Sequence, residues 1–117
     1  MTAPDNLSHQ ERRAAPRYHC AGEAELAVPG CGLVFRGRIA DLSKVGCFLE
    51  TECRLERGTS VEIRLTVDGF PLRLAAHLLV RRANGLGFRF NQLTARKLEQ
   101  IEGLIAELKS ARDEQNS

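Results

Sequence analysis

Aromatic side chains are scarce in this chain: five phenylalanines, one tyrosine and no tryptophan make up 5% of the sequence. Proteins that track single-stranded nucleic acid stack bases on aromatic platforms, so this scarcity disfavours nucleic acid as a partner. Long apolar runs are missing as well. No stretch approaches the roughly 20 residues that a membrane-spanning helix needs, and residues 1–10 (MTAPDNLSHQ) hold neither an apolar core nor a cleavage pattern of a signal peptide. The sequence therefore predicts no membrane insertion and a cytoplasmic location. Cys20, Cys31, Cys47 and Cys53 stand at gaps that match no paired CxxC knuckle. They read as small, half-buried hydrophobes, and no metal site is expected. His9, His19 and His77 are scattered over tail and strands, no carboxylate pair has a defensible spacing, and Ser43 lacks a GxSxG elbow. No catalytic residue and no cofactor is assigned, and the chain is not expected to be an enzyme.

Lysine is the other scarcity. Lys44, Lys97 and Lys109 are the only lysines among 17 Lys and Arg residues, so 14 are arginines. Against 15 acidic residues the formal net charge is only +2, too small by itself to imply a polyanion partner. Arginine is nonetheless suited to phosphate and guanine, because its planar fork donates two parallel hydrogen bonds where lysine offers a point charge. The positions of the arginines therefore matter more than their number.

At 117 residues and 13.0 kDa the chain is long enough for one core and too short for two. Residues 1–10 read as a flexible tail. The cluster Glu11-Arg12-Arg13-Ala14-Ala15-Pro16-Arg17 follows, and Pro16 pushes the preceding residue toward extended geometry, so residues 11–18 are expected to be a loop. From residue 19 the pattern is that of short strands. In 19–28 Ala24, Leu26 and Val28 alternate with Glu23 and Glu25; in 33–40 Leu33, Phe35 and Ile39 are expected inside and Arg36 and Arg38 outside. Residues 47–51 form a third short strand. The cleanest alternation is 60–67, with Val61, Ile63, Leu65 and Val67 inside, and Asp68-Gly69 then suits a two-residue hairpin turn. A long return strand, 71–82, is followed by a turn at Asn84-Gly85 and the strand GLGFRF at 85–90. Six antiparallel strands separated by turn signals predict a mainly β fold, a small barrel whose closure removes exposed edges. Beyond it, 93–112 changes to a helical period, with Leu98, Ile101, Ile105 and Leu108 on one stripe and Leu104 beside it. That stripe is expected to pack on the barrel. The predicted organisation is thus a tail at 1–10, a domain at 11–112 comprising loop 11–18, barrel 19–91 and helix 93–112, and a disordered C-terminus at 113–117.

Two short motifs carry chemistry. Arg13 and Arg17 flank a three-residue gap and Arg12 adds a third guanidinium, a set suited to phosphate oxygens and to the N7 and O6 acceptors of guanine. Asp41-Leu42-Ser43-Lys44-Val45-Gly46 supplies the complement. A carboxylate accepts from the opposite edge of guanine, Ser43 donates or accepts at close range, and Gly46 permits an approach that a side chain blocks. Taken singly, the first is equally a solvated tail and the second an Asx or Ser turn that ends a strand.

In combination, order and setting, the motifs resemble the PilZ domain family, whose pattern is RxxxR in an N-terminal loop and then (D/N)xSxxG after a strand. The barrel would accordingly be a PilZ-like, split-barrel type with a C-terminal α-helix. Arg13 to Arg17 and Asp41 to Gly46 are the matching segments, and the GLGFRF strand is similar to the family's last strand before its helix. The resemblance implies a receptor for the bacterial second messenger cyclic di-GMP, without catalysis. On it, Arg13 and Arg17 hold phosphates and a guanine edge, Asp41 and Ser43 read a guanine, and Gly46 shapes the turn. Arg12 occupies a position that in the family influences whether one ligand or a stacked pair is bound, and arginine there is compatible with the pair. Binding is expected to order the loop and present a changed surface to a downstream partner protein. Two alternatives stay open on the residues alone: a non-catalytic interaction module with vestigial motifs, and a small nucleic-acid-binding β-barrel.

Overall fold

Alternation in the sequence becomes alternation in the sheet. In a computed structural model, which describes residues 17–67 and 69–116, the strands are β1 (Tyr18–His19), β2 (Glu23–Ala27), β3 (Val34–Leu42), β4 (Gly46–Glu50), β5 (Ser60–Val67), β6 (Phe70–Arg82) and β7 (Gly85–Phe90). A single helix, α1 (Ala95–Asn116), follows them and runs past the expected end at Arg112. The hydrogen-bonded order is β1-β3-β2-β5-β6-β7-β4, and β4 pairs back onto β3. Strands β2 to β7 therefore form a closed six-stranded antiparallel barrel, and the two-residue β1 is appended to the end of β3.

In β5 the inward set Val61, Ile63, Leu65 and Val67 is at most 2% exposed, whereas Glu62, Arg64 and Thr66 face solvent. Residue period fixes register here: a one-residue slip would turn all four aliphatics outward. The β5–β6 register ends at Val67↔Phe70, as a two-residue connection through Asp68-Gly69 requires, and Gly69 has the positive φ of 81° that such turns favour.

Several sequence expectations are corrected. The segment 19–28 is not one strand. β1 pairs with β3 at His19↔Asp41 and β2 resumes at Glu23↔Arg38, so the stretch between carries one residue more than its partner, held by Cys20 N–H donating to Ala40 O and Ile39 N–H donating to Gly22 O. Leu33 lies outside the barrel, 56% exposed, because the ladder begins only at Val34. The tight turn after β6 is Ala83-Asn84 rather than Asn84-Gly85: Arg82 pairs with Gly85, which is already in β7. Cys31 is exposed, while Cys47 and Cys53 are buried and Cys20 is half-buried.

The helix closes the core. Thr94 caps it, its Oγ1 accepting from Lys97 N–H at 3.1 Å. Ile101, fully buried, and Leu104 belong to the same apolar cluster as Leu26, Leu49 and Leu78, with Ile105 and Leu108 packed half-buried against it and Leu98 also half-buried. Asn91, ahead of the helix, places Oδ1 2.8 Å from Nδ1 of the half-buried His77.

Candidate ligand-binding site

The site begins with a bulge. Along β3 the pairing with β4 runs Ile39↔Leu49 and then Asp41↔Phe48, so Ala40 is an extra residue and the strand bends. Bulges re-aim side chains next to binding sites. Here the bend lies beside the extra residue of the β1–β2 segment, and a groove of about 730 Å³ opens between the two irregularities. Arg17, His19, Arg38, Asp41, Phe48 and Arg82 are among its lining residues.

His19, Asp41 and Phe48 lie in register across β1, β3 and β4. With strands about 4.8 Å apart, they form a row roughly 10 Å long, with a carboxylate at its centre and a half-buried aromatic ring at one end. Arg17 enters immediately before β1. Arg38 sits on β3 between Glu23 of β2 and Glu50 of β4, and Arg82 closes the far side from the end of β6. Three guanidiniums thus face Asp41 and Glu50. This mixed lining can bind an anion and also accept N–H donors, as a purine edge requires.

Ser43 and Gly46 do not line the groove; they build the turn that holds Asp41. Ser43 is 4% exposed. Its Oγ donates to Gly46 O at 3.2 Å and accepts from Val45 N–H at 3.2 Å and Gly46 N–H at 3.1 Å, while its own N–H donates to Gly46 O at 2.9 Å. One donor and two acceptor sites are all that a serine hydroxyl has, and the turn uses them. Gly46 is required by proximity: a Cβ there would run into the backbone carbonyl oxygen of Phe88 on β7. Phe90 N–H donates to Val45 O at 2.8 Å and ties the same turn to the end of β7.

Of the six residues singled out from sequence, the structure brings Arg17 and Asp41 to one groove and places Ser43 and Gly46 beneath it. Arg12 and Arg13 lie outside the described residues. The sequence reading had not assigned Arg38, Phe48 or Arg82 to the site. Arg38 carries only the signal of an outward position on its strand, which ordinary surface residues share, and Phe48 and Arg82 carry none.

Behind the groove the Cys47 thiol is pushed far up, first by burial, then by the Asp41 carboxylate and Cys20. It stays protonated and unsuited to nucleophilic or metal-binding work. Burial also raises Cys53. Among the described residues no three His, Cys, Asp or Glu side chains gather in a way that could hold a metal ion, and no helix is long and apolar enough to cross a membrane.

The molecule is thus a closed six-stranded antiparallel barrel with an arginine-lined groove at a strand bulge and a C-terminal helix packed on its core. The PilZ domain family model matches residues 11–107, and the chain belongs to that family. Solved structures agree in fold. The PilZ domain of CeSA from a cellulose-synthesizing bacterium is 22% identical, with 80% of this chain and 98% of that chain covered and a TM-score of 0.67. YcgR from Escherichia coli in complex with c-di-GMP is 20% identical at a TM-score of 0.78, covering 90% of this chain and 49% of that one. The PilZ domain of YcgR with c-di-GMP is 19% identical at a TM-score of 0.74, covering 91% and 98%. Among curated proteins none matches this chain.

Proposed function

We propose that this chain is a non-catalytic receptor for cyclic di-GMP. The observation that carries the reading is the meeting of Arg17 and Asp41 in one groove of about 730 Å³, within the ~300–1,000 Å³ usual for small-molecule sites. Solved PilZ domains of the same fold hold c-di-GMP, and both family motifs stand in this sequence in order.

On this reading Arg17 and Asp41 contact the ligand directly, with Arg38 and Arg82 adding positive charge and Phe48 offering a purine a ring to stack on. Arg13 precedes Arg17 by four positions, so an extended chain lets it reach at most ~14 Å from Arg17. The groove is within that radius, and Arg12 and Arg13 complete the guanidinium set. Ser43 and Gly46 serve the site by fixing the turn under Asp41. A doubly anionic ligand neutralises arginines that otherwise repel one another, and it draws the segment preceding β1 against the barrel. Each charge-assisted bond, about 1.5–3 kcal/mol, offsets part of the conformational entropy lost in ordering. The changed surface is what a partner protein reads, inside the cell.

Isothermal titration calorimetry with cyclic di-GMP tests this. Wild type is expected to bind, Arg13→Ala, Arg17→Ala and Asp41→Ala to weaken binding by about 10- to 100-fold each, and the stoichiometry to report whether Arg12 supports a stacked pair. An absence of heat with wild type, or unaltered affinity in all three variants, overturns the reading.

A further inference from the structure

A second concavity, about 820 Å³, adjoins the ligand groove and is cationic. Its walls carry Arg54 from the β4–β5 connection and Arg81 and Arg82 from the end of β6, against the single carboxylate of Glu52, over a floor that includes the buried Cys53 and Leu86. Arg82 lines both concavities. The ion pairs among the described residues lie elsewhere, between Glu25 and both Arg36 and Arg64 and between Glu62 and Arg73.

Of these guanidiniums, that of Arg81 is held in place before anything binds. The β4–β5 connection is stitched to β6 by Arg81 Nη1 donating to Leu55 O at 3.5 Å and Arg57 Nε donating to Leu79 O at 3.2 Å. Gly58 N–H donating to Leu78 O and Leu78 N–H donating to Thr59 O complete the seam. Carbonyl partners fix a guanidinium without cancelling its charge, so an incoming carboxylate finds its partner already oriented. Leu79, 47% exposed, stands on the outer face of the same strand segment and supplies an apolar contact.

We propose that this groove docks an acidic segment of a partner protein carrying an apolar side chain for Leu79. Charge complementarity selects the sign of the partner. A single-stranded nucleic acid fits less well, because no aromatic ring lines the groove to stack a base and Glu52 interrupts the positive wall. Since Arg82 faces both grooves, an anion in one competes for the cation that serves the other. Docking and ligand binding are therefore antagonistic, and reciprocally so: cyclic di-GMP releases the docked segment. That coupling rests on the ligand reading above; the docking does not.

The test is fluorescence anisotropy with a fluorescein-labelled glutamate-rich peptide bearing spaced leucines, alongside its lysine-for-glutamate counterpart. The acidic peptide is expected to bind wild type and the basic one not. Arg54→Glu and Arg81→Glu are each expected to weaken it by roughly tenfold or more, the loss of one charge-assisted contact, with Arg54→Gln as the milder variant and cyclic di-GMP calorimetry unchanged in all three. Saturating cyclic di-GMP is expected to weaken the peptide about tenfold, and Arg82→Ala to remove that effect. Peptide binding indifferent to Arg54 and Arg81 overturns the docking site, as does tighter binding of an oligothymidylate or of anionic phosphatidylserine vesicles through the same arginines. Peptide binding that depends on Arg54 and Arg81 as described, but is unmoved by cyclic di-GMP while wild type gives no heat with it, overturns the coupling and the ligand reading and leaves the docking site standing.

Discussion

Replacing Ser43 by alanine removes one oxygen and asks what that oxygen does. In the native turn it accepts from two backbone N–H groups and donates to one carbonyl. Gly46 O keeps a partner in the variant, because Ser43 N–H also donates to it. The N–H groups of Val45 and Gly46 lose theirs, the second of them at a buried residue. At about 1 kcal/mol net per hydrogen bond, the expected destabilisation is about 2 kcal/mol. With an unfolding entropy of ~2.1 cal/mol/K per residue over roughly a hundred ordered residues, this lowers Tm by about 10 °C. Urea unfolding followed by far-ultraviolet circular dichroism measures it, with the m-value expected to be unchanged. A Ser43→Ala variant within 0.5 kcal/mol of wild type, yet a hundredfold weaker for cyclic di-GMP, would refute the reasoning. Ser43 would then be a residue that reads the ligand, not one that holds the turn.

Other perturbations probe the remaining links. Gly46→Ala places a methyl against the Phe88 carbonyl and should separate β4 from β7 at a cost of about 2–3 kcal/mol, seen as faster hydrogen exchange at the Phe90 amide. Ile101→Ala, at a position with no exposed surface, should cost about 2–5 kcal/mol in urea titrations; a loss below 1 kcal/mol would mean that the helix is not part of the core. The raised Cys47 thiol sets a pH dependence. Above about pH 8.5 the unfolded thiol ionises while the native one holds its proton, so stability falls by up to about 1.4 kcal/mol per pH unit. Cys47→Ala should flatten that slope between pH 9 and 10 in thermal melts, and native Cys47 should resist thiol reagents at neutral pH.

The barrel was legible because period-two burial leaves a mark on its longer strands, most cleanly on β5 and most of β6. Val61 to Val67 could face only one way, and Asp68-Gly69 allowed only a tight return. Leu33 misled because an apolar residue next to a turn continues the pattern of a strand that has not yet begun. Asn84-Gly85 misled because a glycine can serve either a turn or a close strand contact, and only the neighbouring chain distinguishes them: a Cβ on Gly85 would meet Leu49 of β4. The site was half legible. Arg17 and Asp41 were marked by motif, but Arg38, Phe48 and Arg82 come to the groove from β3, β4 and the end of β6, positions that only the folded sheet brings together. Ser43 shows the converse, since its type suited a ligand contact and its surroundings assign its hydroxyl to the turn.

β1 deserves a last consequence. Two residues long, it is the shortest ladder in the sheet, and it hangs from the strand end that carries Asp41. A ladder of that size opens at a small fraction of the free energy that opens the six-stranded core. The segment bearing Arg17 is therefore joined to the rest of the molecule by a weak latch. Substitutions that loosen or tighten the latch alter how readily the groove is completed while global stability hardly moves. Ligand responsiveness and thermal robustness can thus drift independently in proteins built this way, and a melting curve will reveal little about how well such a domain senses.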